Sequence, residues 1–571
     1  MRLDYLKIGS AKDSSTHQFK NLKDVCIDFD EKEWITVVIG WNGTGKSNVL
    51  EALAVIFGDL LDLKKKAQFA YEIIYKIGKA SNQKTIRVVA DPDLPPKDQL
   101  KVYIKTQNII SSKSIQTELF EESSDIVSSE SYSDLKLNEF LIEDSQYLPK
   151  YIFSYYSGHS ERMFKIFEPA LKEHYKKLMK FELADDNFIR KKFYALPEHS
   201  QFVLLSFLSQ LDEGSIGLKF LENHFGIDPK NALHSVLFVL RQPPWNGKKD
   251  GDPRVWGATG DAEKFLSKLY DISLAPIKLE HSEAQFIWSD KKKAFEYKYL
   301  YLKNPNDIKA LGYTTPRALF NAIESVFISL LIKEIRVRVR LKNNSNNVVF
   351  QELSEGEQQL LTVLGLLKFT AGEESLFLLD EPDTHLNPKW SVDYIKYLKM
   401  FISNDQSDKD QTSHIVLTTH NPIAIAELEK QQIQILHRDL NQSIKAKEPD
   451  IDPRGMGYAG IITSDMFGLN SSLDTYTQKL LERKNIFTVK ETPLTDAERV
   501  ELTQINNELE DLGFRFSMRD AQYERYLKAL HNHEKNKLDE ENPSYCDTSE
   551  QLKIAEEIIQ TLLKQNNEDQ S

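Results

Sequence analysis

Gly40-Trp41-Asn42-Gly43-Thr44-Gly45-Lys46-Ser47 is the stretch on which the reading of this chain turns. The apolar run Trp34 to Ile39 precedes it as a strand would, and from Lys46 onward Leu50, Leu53, Ala54 and Phe57 recur at i, i+3, i+4 and i+7, the spacing of a helix face. A glycine-rich turn between strand and helix, spelled G-x-x-x-x-G-K-S, lets successive backbone N–H groups fold inward around phosphate oxygens. In that setting the pattern points to a bound nucleoside triphosphate. Gly40, Asn42, Gly43, Thr44, Gly45 and Asn48 lie in or beside the cradle. Lys46 supplies a point charge to the outer phosphates, Ser47 a hydroxyl to Mg²⁺, and the helix N-terminus its partial positive charge.

Three downstream stretches carry chemistry that fits this loop. Leu376-Phe377-Leu378-Leu379-Asp380-Glu381 is a buried-type strand closing on two carboxylates. Asp380 is the expected holder of Mg²⁺, and Glu381 the residue that polarises water in line with the γ-phosphate. Leu353-Ser354-Glu355-Gly356-Glu357-Gln358-Gln359 opens a helix with Leu360, Leu364 and Leu367 on one face. Ser354 and Glu357 spell a capping box, and a helix N-terminus with the small Gly356 suits close approach to a nucleotide held by another subunit. Ile415 to Thr419 is a short buried strand ending at His420. Taken singly, each has an ordinary structural explanation: an acid at a loop start, a helix cap, a strand-end histidine.

Their order is what is specific. Phosphate loop, LSEGEQQ, LLDEP and TTH follow one another as in the ABC-type ATPase superfamily, which this chain resembles. The resemblance implies that His420 is the switch histidine reading the γ-phosphate and that Asp383 belongs to the loop facing the opposite subunit. G-W-N-G-T-G-K-S-N-V-L-E-A-L is similar to the SMC, RecF and overcoming-lysogenization ATPases rather than to transporters, and roughly 300 residues separate Lys46 from Ser354. The interruption lacks long a/d heptads, so extended coiled-coil arms are not expected. With the Tyr155-Tyr156-Ser157-Gly158 turn, the D-M-F-G-L segment at Asp465 to Leu469 and the C-terminal region, the whole chain resembles the PtuA-type ATPases of Septu anti-phage systems, in the retron-associated form.

That resemblance implies ATP and Mg²⁺ as cofactors and a homodimer through ATPase heads, with higher assembly open. It also implies a separate HNH nuclease of PtuB type as partner, and a retron reverse transcriptase with its reverse-transcribed DNA. The alternative is a RecF/SMC-like DNA-repair ATPase that loads on DNA. The Q-loop glutamine of the superfamily has no match, since neither Gln68 nor Gln146 has suitable flanks.

The fold class expected is α/β, an ABC-type (SMC/RecF-like) P-loop ATPase head with a long inserted mainly helical region and a helical C-terminal tail. Residues 1–160 and 276–470 form the two parts of the head, 161–275 the insert and 471–571 the tail. Thr85 to Ala90, Lys101 to Thr106 and Tyr151 to Tyr156 read as strands, and I-R-V-R-V-R-L from Ile335 to Leu341 as a strand with an arginine face outward. Helical spacing runs from Glu161 to Leu240; Ser111 to Ser133 is a serine-rich acidic surface loop. A capping box at Thr495 and Glu498 opens a helix that Gly513 stops.

A chain of 571 residues, 40 % hydrophobic and 28 % charged, is globular and too long for one core. The net charge of −13 leaves room only for local basic patches. Cys26 and Cys546 cannot build a disulfide framework or a four-thiolate metal site. No apolar run approaches the roughly 20 residues of a membrane span, and charges at Arg2 and Asp4 oppose a secretory leader, so a cytoplasmic protein without membrane contact is expected. His531-Asn532-His533 spells HNH, but that fold disperses its metal ligands; Asp450-Ile451-Asp452 lacks the apolar strand that precedes a Toprim acid pair. The expected enzyme is therefore an ATPase with no nuclease activity of its own.

Overall fold

The computed structural model describes residues 1–512 except 31–32, 80–81, 107–131, 159, 181–189, 210–215, 246, 248–250, 285–291, 343–346, 351–353, 371–373, 403–411, 470 and 491. It forms two compact units, 1–458 and 459 onward.

The sequence I-T-V-V-I-G is apolar without alternation because Ile35–Gly40 is a central strand buried along its length. It belongs to a seven-stranded sheet ordered Ile444–Lys447, Ile433–Arg438, Ile35–Gly40, His414–Thr418, Ser375–Asp380, Tyr151–Tyr156, Lys192–Tyr194. All neighbours run parallel except the first pair. Register aligns the carboxyl ends: Asp380 lies opposite Thr418 on one side and Tyr156 on the other, and Gly40 opposite Leu436. Ligands in open parallel sheets bind off these ends. The α/β class is thus met.

The opening strands do not all share that sheet. Arg2–Ile8 and Val25–Asp28 join Tyr71–Ile77, Lys84–Ala90, Leu100–Thr106 and Ser133–Leu135 in a six-stranded sheet that is antiparallel throughout. Helix Lys46–Leu61 packs between the two sheets: Val49, Leu53, Ile56 and Phe57 share one core with Leu6, Ile73 and Tyr75 of the antiparallel sheet and Val38, Leu376 and Val416 of the parallel one. A helix covered on two sides needs apolar residues nearly all round, and each such Leu or Phe contributes roughly 1.5–3 kcal/mol by burial. That packing holds the phosphate loop against the sheet.

Helices Arg162–Lys180, His199–Ser209, Ile216–Phe225 and Gly260–Ile272 fill much of the interruption. The helical spacing read through Leu240 ends sooner, however: Leu233–Arg241 is a strand. It is central in a five-stranded antiparallel sheet ordered Leu274–Ala284, Lys292–Leu302, Leu233–Arg241, Ile332–Arg340, Asn347–Val349. Burial of both its faces erased the alternation that would have marked it. Ile332–Arg340 alternates as its sequence predicts, with Arg336 and Arg338 outward.

In the second unit, Thr475–Val489 and Asp496–Asp511 are helices joined by Phe487, Ile505 and Leu509. The capping box at Thr495 and Glu498 is present. Gly513, Cys546, His531 to His533 and nearly all of the acidic serine-rich stretch lie outside the described residues. No described helix is long and apolar enough to cross a membrane.

Candidate nucleotide site

Gly40 leaves its strand at φ +146°, and a Cβ there would stand 2.3 Å from the Leu436 carbonyl oxygen, so only glycine lets the chain turn against its neighbouring strand. Gly43 and Gly45 also take positive φ. The Thr44 hydroxyl donates to Trp41 O at 2.8 Å and closes the loop on itself. Asn21 and Arg438 brace it from outside, their N–H groups reaching Gly43 O at 3.0 and 3.2 Å, and Asn48 in turn donates to Asn21 at 2.5 Å. Asn42 is exposed at the loop's tip.

Lys46 sits at the first helical position with its ammonium donating to Gly40 O at 2.9 Å, inside its own loop. Burial pulls that ammonium below its usual range, against the attraction of Glu381 and Asp380. A lysine kept partly dehydrated beside a curled backbone gains much from an anion.

Asp380 is 2 % exposed. Burial raises its carboxyl above the usual range; hydroxyl hydrogen bonds from Thr418 and Ser47 and the charge of Arg162 pull it down, while Glu381 pushes it up. A buried carboxylate bonded to a helix-start hydroxyl is a hard-oxygen donor pair, the kind that holds Mg²⁺ together with phosphate oxygens and water. The residues present therefore fit the metal.

Glu381 takes φ +50°, rare for a residue with a side chain, and two contacts to Thr418 hold it: its N–H donates to the Thr418 carbonyl at 3.1 Å and hydroxyl at 3.0 Å. The turn brings its carboxylate 3.3 Å from His420 Nδ1. Lys46, Ser47, Asp380, Glu381 and His420 are thus gathered at the carboxyl ends of adjacent parallel strands.

The signature helix Glu355–Thr370 is arranged otherwise. Ser354 N–H and hydroxyl donate to Glu357 Oε2 at 2.7 and 2.9 Å, and Glu357 N–H returns to Ser354 Oγ at 3.3 Å, the capping box the sequence predicts. Gly356 is pressed on the loop after Glu381: its Cβ would lie 2.2 Å from His385 O. Gln359 donates to Pro382 O at 2.7 Å, tying the helix to the same loop. Asp383, expected in a subunit-facing loop, is itself 3 % exposed and accepts from Thr419 Oγ1 at 2.8 Å; Thr384 and His385 are the exposed members. Burial raises the Asp383 carboxyl.

The family comparison bears on this geometry directly. Residues 35–426 match the family described as AAA domain, putative AbiEii toxin, Type IV TA system, a span that begins with the phosphate-loop strand and ends after His420. The chain belongs to that AAA family. Among curated proteins, the Septu protein PtuA of Bacillus mycoides (strain KBAB4) is 25 % identical over 164 residues, 27 % of this chain and 22 % of that protein. The retron Vc95 probable ATPase of Vibrio cholerae serotype O1 biovar El Tor is 27 % identical over 126 residues, 20 % of this chain and 23 % of that protein. The PtuA-type resemblance read from the motifs is thus met by named relatives, matched over less than a quarter of their length. Among solved structures, an SMC head domain from Thermotoga maritima covers 79 % of this chain and 100 % of its own at TM-score 0.31 and 11 % identity. The Pyrococcus furiosus Smc head domain bound to the C-terminal domain of ScpA covers 78 % and 96 % at TM-score 0.29 and 12 % identity.

Asn21, Arg438, Thr418, Thr419 and Arg162 were not singled out from the sequence of this AAA protein. Thr418 and Thr419 stand within the quoted TTH and could have been paired with the acids of the neighbouring strand. Asn21 reaches the loop from a turn ahead of strand Val25–Asp28 and Arg438 from the end of strand Ile433–Arg438, and neither leaves a local signal. Gln68 donates to Asp59 at 2.7 Å and Gln146 accepts from Lys84 at 2.7 Å, so neither answers for the missing Q-loop residue. Asp450 pairs with Lys447 at 3.7 Å and Asp452 accepts from Lys430 N–H at 2.8 Å, ordinary surface roles.

Proposed function

We propose that this chain is an ATP-binding and ATP-hydrolysing subunit of an anti-phage defence system, acting as sensor and scaffold for a separate HNH nuclease of PtuB type, with a retron reverse transcriptase and its DNA as further partners. The convergence of Lys46, Ser47, Asp380, Glu381 and His420 at one sheet end carries the ATPase part of this reading. The matches to a Septu protein and a retron ATPase support the defence setting.

In this reading the backbone of residues 40–47, with Asn42, Thr44 and Asn48 at its rim, and Lys46 hold the phosphates. Ser47 and Asp380 would hold Mg²⁺, which would supply positive charge to the phosphate oxygens. Glu381 takes the proton of the attacking water, and His420, within reach of Glu381, orients that carboxylate and senses the γ-phosphate. Ser354, Gly356 and Glu357 meet nucleotide on a second copy, and the loop bearing Asp383 lines the same head-to-head contact. We assign 1–160 and 276–470 to the head, 161–275 to the insert and 471–571 to the tail, in a cytoplasmic protein. Phosphodiester cleavage belongs to the partner: it calls for a metal held by clustered carboxylates or histidines, and the acids gathered at the sheet end serve ATP.

The test assays the purified full chain for Mg²⁺-dependent ATP hydrolysis, then for nucleic-acid cleavage alone, with the neighbouring HNH protein, and with that protein's catalytic histidine replaced. Cleavage is expected only with the intact HNH protein. Metal-dependent cleavage by the chain alone, surviving repurification, would overturn the scaffold reading.

A further inference from the structure

Strand Leu274–Ala284 is the outermost strand of the five-stranded sheet, and among the described residues no strand pairs with its outer side. Residues 274–282 are exposed on both faces, and Leu274, Ile277 and Leu279 are 59 %, 54 % and 47 % exposed. A long apolar edge of unpaired backbone groups is a template for another strand unless charge, bulge or cover blunts it.

The start of the strand is blunted, since the register slips between Leu274 and Ile277, where Ala275 takes φ +48° and Pro276 has no N–H to give, so the usable edge begins at Ile277. The charges beyond that point do not blunt it; they are set against their own neighbours. In register with Lys292–Leu302, Lys278 lies directly opposite Lys298 and Glu280 directly opposite Glu296. Like charges in direct cross-strand opposition destabilise a pair of strands. Lys298 is buried, and burial pushes its ammonium below its usual range; its ion pair with Glu296 at 3.2 Å opposes that push, and Lys278 adds to it. The inner side of the edge strand therefore offers Lys278 and Glu280 the wrong partners directly across, and no described strand pairs with the outer side.

We propose that two copies of this chain join along this edge, antiparallel about Leu279, fusing their two five-stranded sheets into one. In that register Lys278 of each copy lies opposite Glu280 of the other, Leu279 meets Leu279, and Ile277 meets His281, which the Tyr299 hydroxyl already holds at 2.9 Å. Shifting the two strands by one two-residue step either way sets Lys278 against itself or Glu280 against itself. The charge pattern selects a single register as well as a partner. This contact is separate from the nucleotide-bridged heads and needs no nucleotide.

Sedimentation of the full chain without nucleotide, in a Lys46→Ala background that weakens any head contact, tests the proposal. The chain is expected to dimerise. Lys278→Glu alone and Glu280→Lys alone should each weaken association at least ~10-fold, because two attractive pairs become repulsive. An equimolar mixture of the two single variants should dimerise again as a heterodimer, and the double variant as a homodimer. Leu279→Cys, with Cys26 and Cys546 changed to Ser, should cross-link to itself under mild oxidation. Retained nucleotide binding in an otherwise identical Lys46 background shows that each variant folds. A nucleotide-free chain that stays monomeric, a dimer indifferent to both single swaps, or a Leu279→Cys chain that does not cross-link would each overturn the proposal.

Discussion

Strand His414–Thr418 carries a histidine at its start and delivers another just past its end, and their surroundings are opposite. His414 is fully buried: Nδ1 accepts Leu3 N–H at 3.0 Å, which leaves Nε2 as the protonated nitrogen facing Thr36 Oγ1 at 3.0 Å. Burial, helped by the N-terminal ammonium and Arg2, lowers its pKa to about 3, so the ring stays neutral. His420 has a side chain 54 % exposed and stands 3.3 Å from Glu381. At the amino end both ring nitrogens of His414 find partners within the chain. At the carboxyl end it assembles charge, hydroxyl and curled backbone with capacity to spare. Damage to the second end should therefore cost chemistry, and damage to the first should cost stability.

Glu381→Gln is expected to show the largest effect. The amide cannot take the proton of attacking water, so hydrolysis should fall by ~10²–10⁴ while ATP binding stays within a few-fold. Turnover and the affinity of a fluorescent ATP analogue, measured on the same preparation, separate the two. Hydrolysis at the normal rate would remove Glu381 from its role.

Lys46→Ala is the next largest. The ammonium donates to the loop's own Gly40 O, and the one or two charge-assisted bonds it can give phosphate are worth about 1.5–3 kcal/mol each. Affinity should fall by roughly 10- to 100-fold or more, with unchanged thermal unfolding. Unchanged affinity would show that this loop does not hold the phosphates.

A smaller effect sharpens the contrast by asking whether the carboxyl end is complete in one chain. Ser354 makes its described side-chain bonds to Glu357 in its own turn, and the proposed function brings it to nucleotide on a second copy. Equimolar mixtures of Lys46→Ala and Ser354→Arg chains should regain up to about a quarter of the hydrolysis of the unmodified dimer, since about half of the dimers are then mixed and each mixed dimer keeps one of its two composite sites. No recovery under confirmed subunit exchange would place Ser354 outside the site.

The two ends were unequally legible. The carboxyl end announces itself because each motif is local: glycines, lysine and serine within eight positions, two acids closing an apolar strand, a histidine after two threonines. What binds them together is not local. Thr418 reaches Asp380 across 38 positions of sequence, and Arg438 reaches Gly43 across 395. The amino end left no readable sign, because His414 inside an apolar run looks like any strand histidine until Leu3 and Thr36 are folded onto it. The same blindness to burial turned Leu233–Arg241 into an expected helix: a strand covered on both faces has no period of two to find.

The smallest effect belongs to His414, and it should leave the chemistry untouched. Its folded pKa of about 3 lies below the 6.5 of an unperturbed ring, so the unfolded chain takes up the proton first as pH falls. Neutral His414 thus contributes stability that is fully present above pH 6.5 and is lost progressively toward pH 3, at up to about 1.4 kcal/mol per pH unit. His174 and His199, also lowered to about 3 by burial, bend the curve the same way, so the difference between two proteins is the informative quantity. His414→Asn retains an acceptor for Leu3 N–H and removes the titration. At pH 7.5 it should be less stable by about 1–3 kcal/mol for the weakened Thr36 contact and the lost ring packing. Because the variant lacks the acid-labile contribution, its deficit should shrink between pH 6.5 and pH 4.5. Urea midpoints across that range measure it, with nucleotide affinity at pH 7.5 expected within about twofold of the unmodified chain. Parallel midpoint curves would mean that His414 does not titrate on unfolding, and a large loss of affinity would mean that the two ends of the strand are not independent.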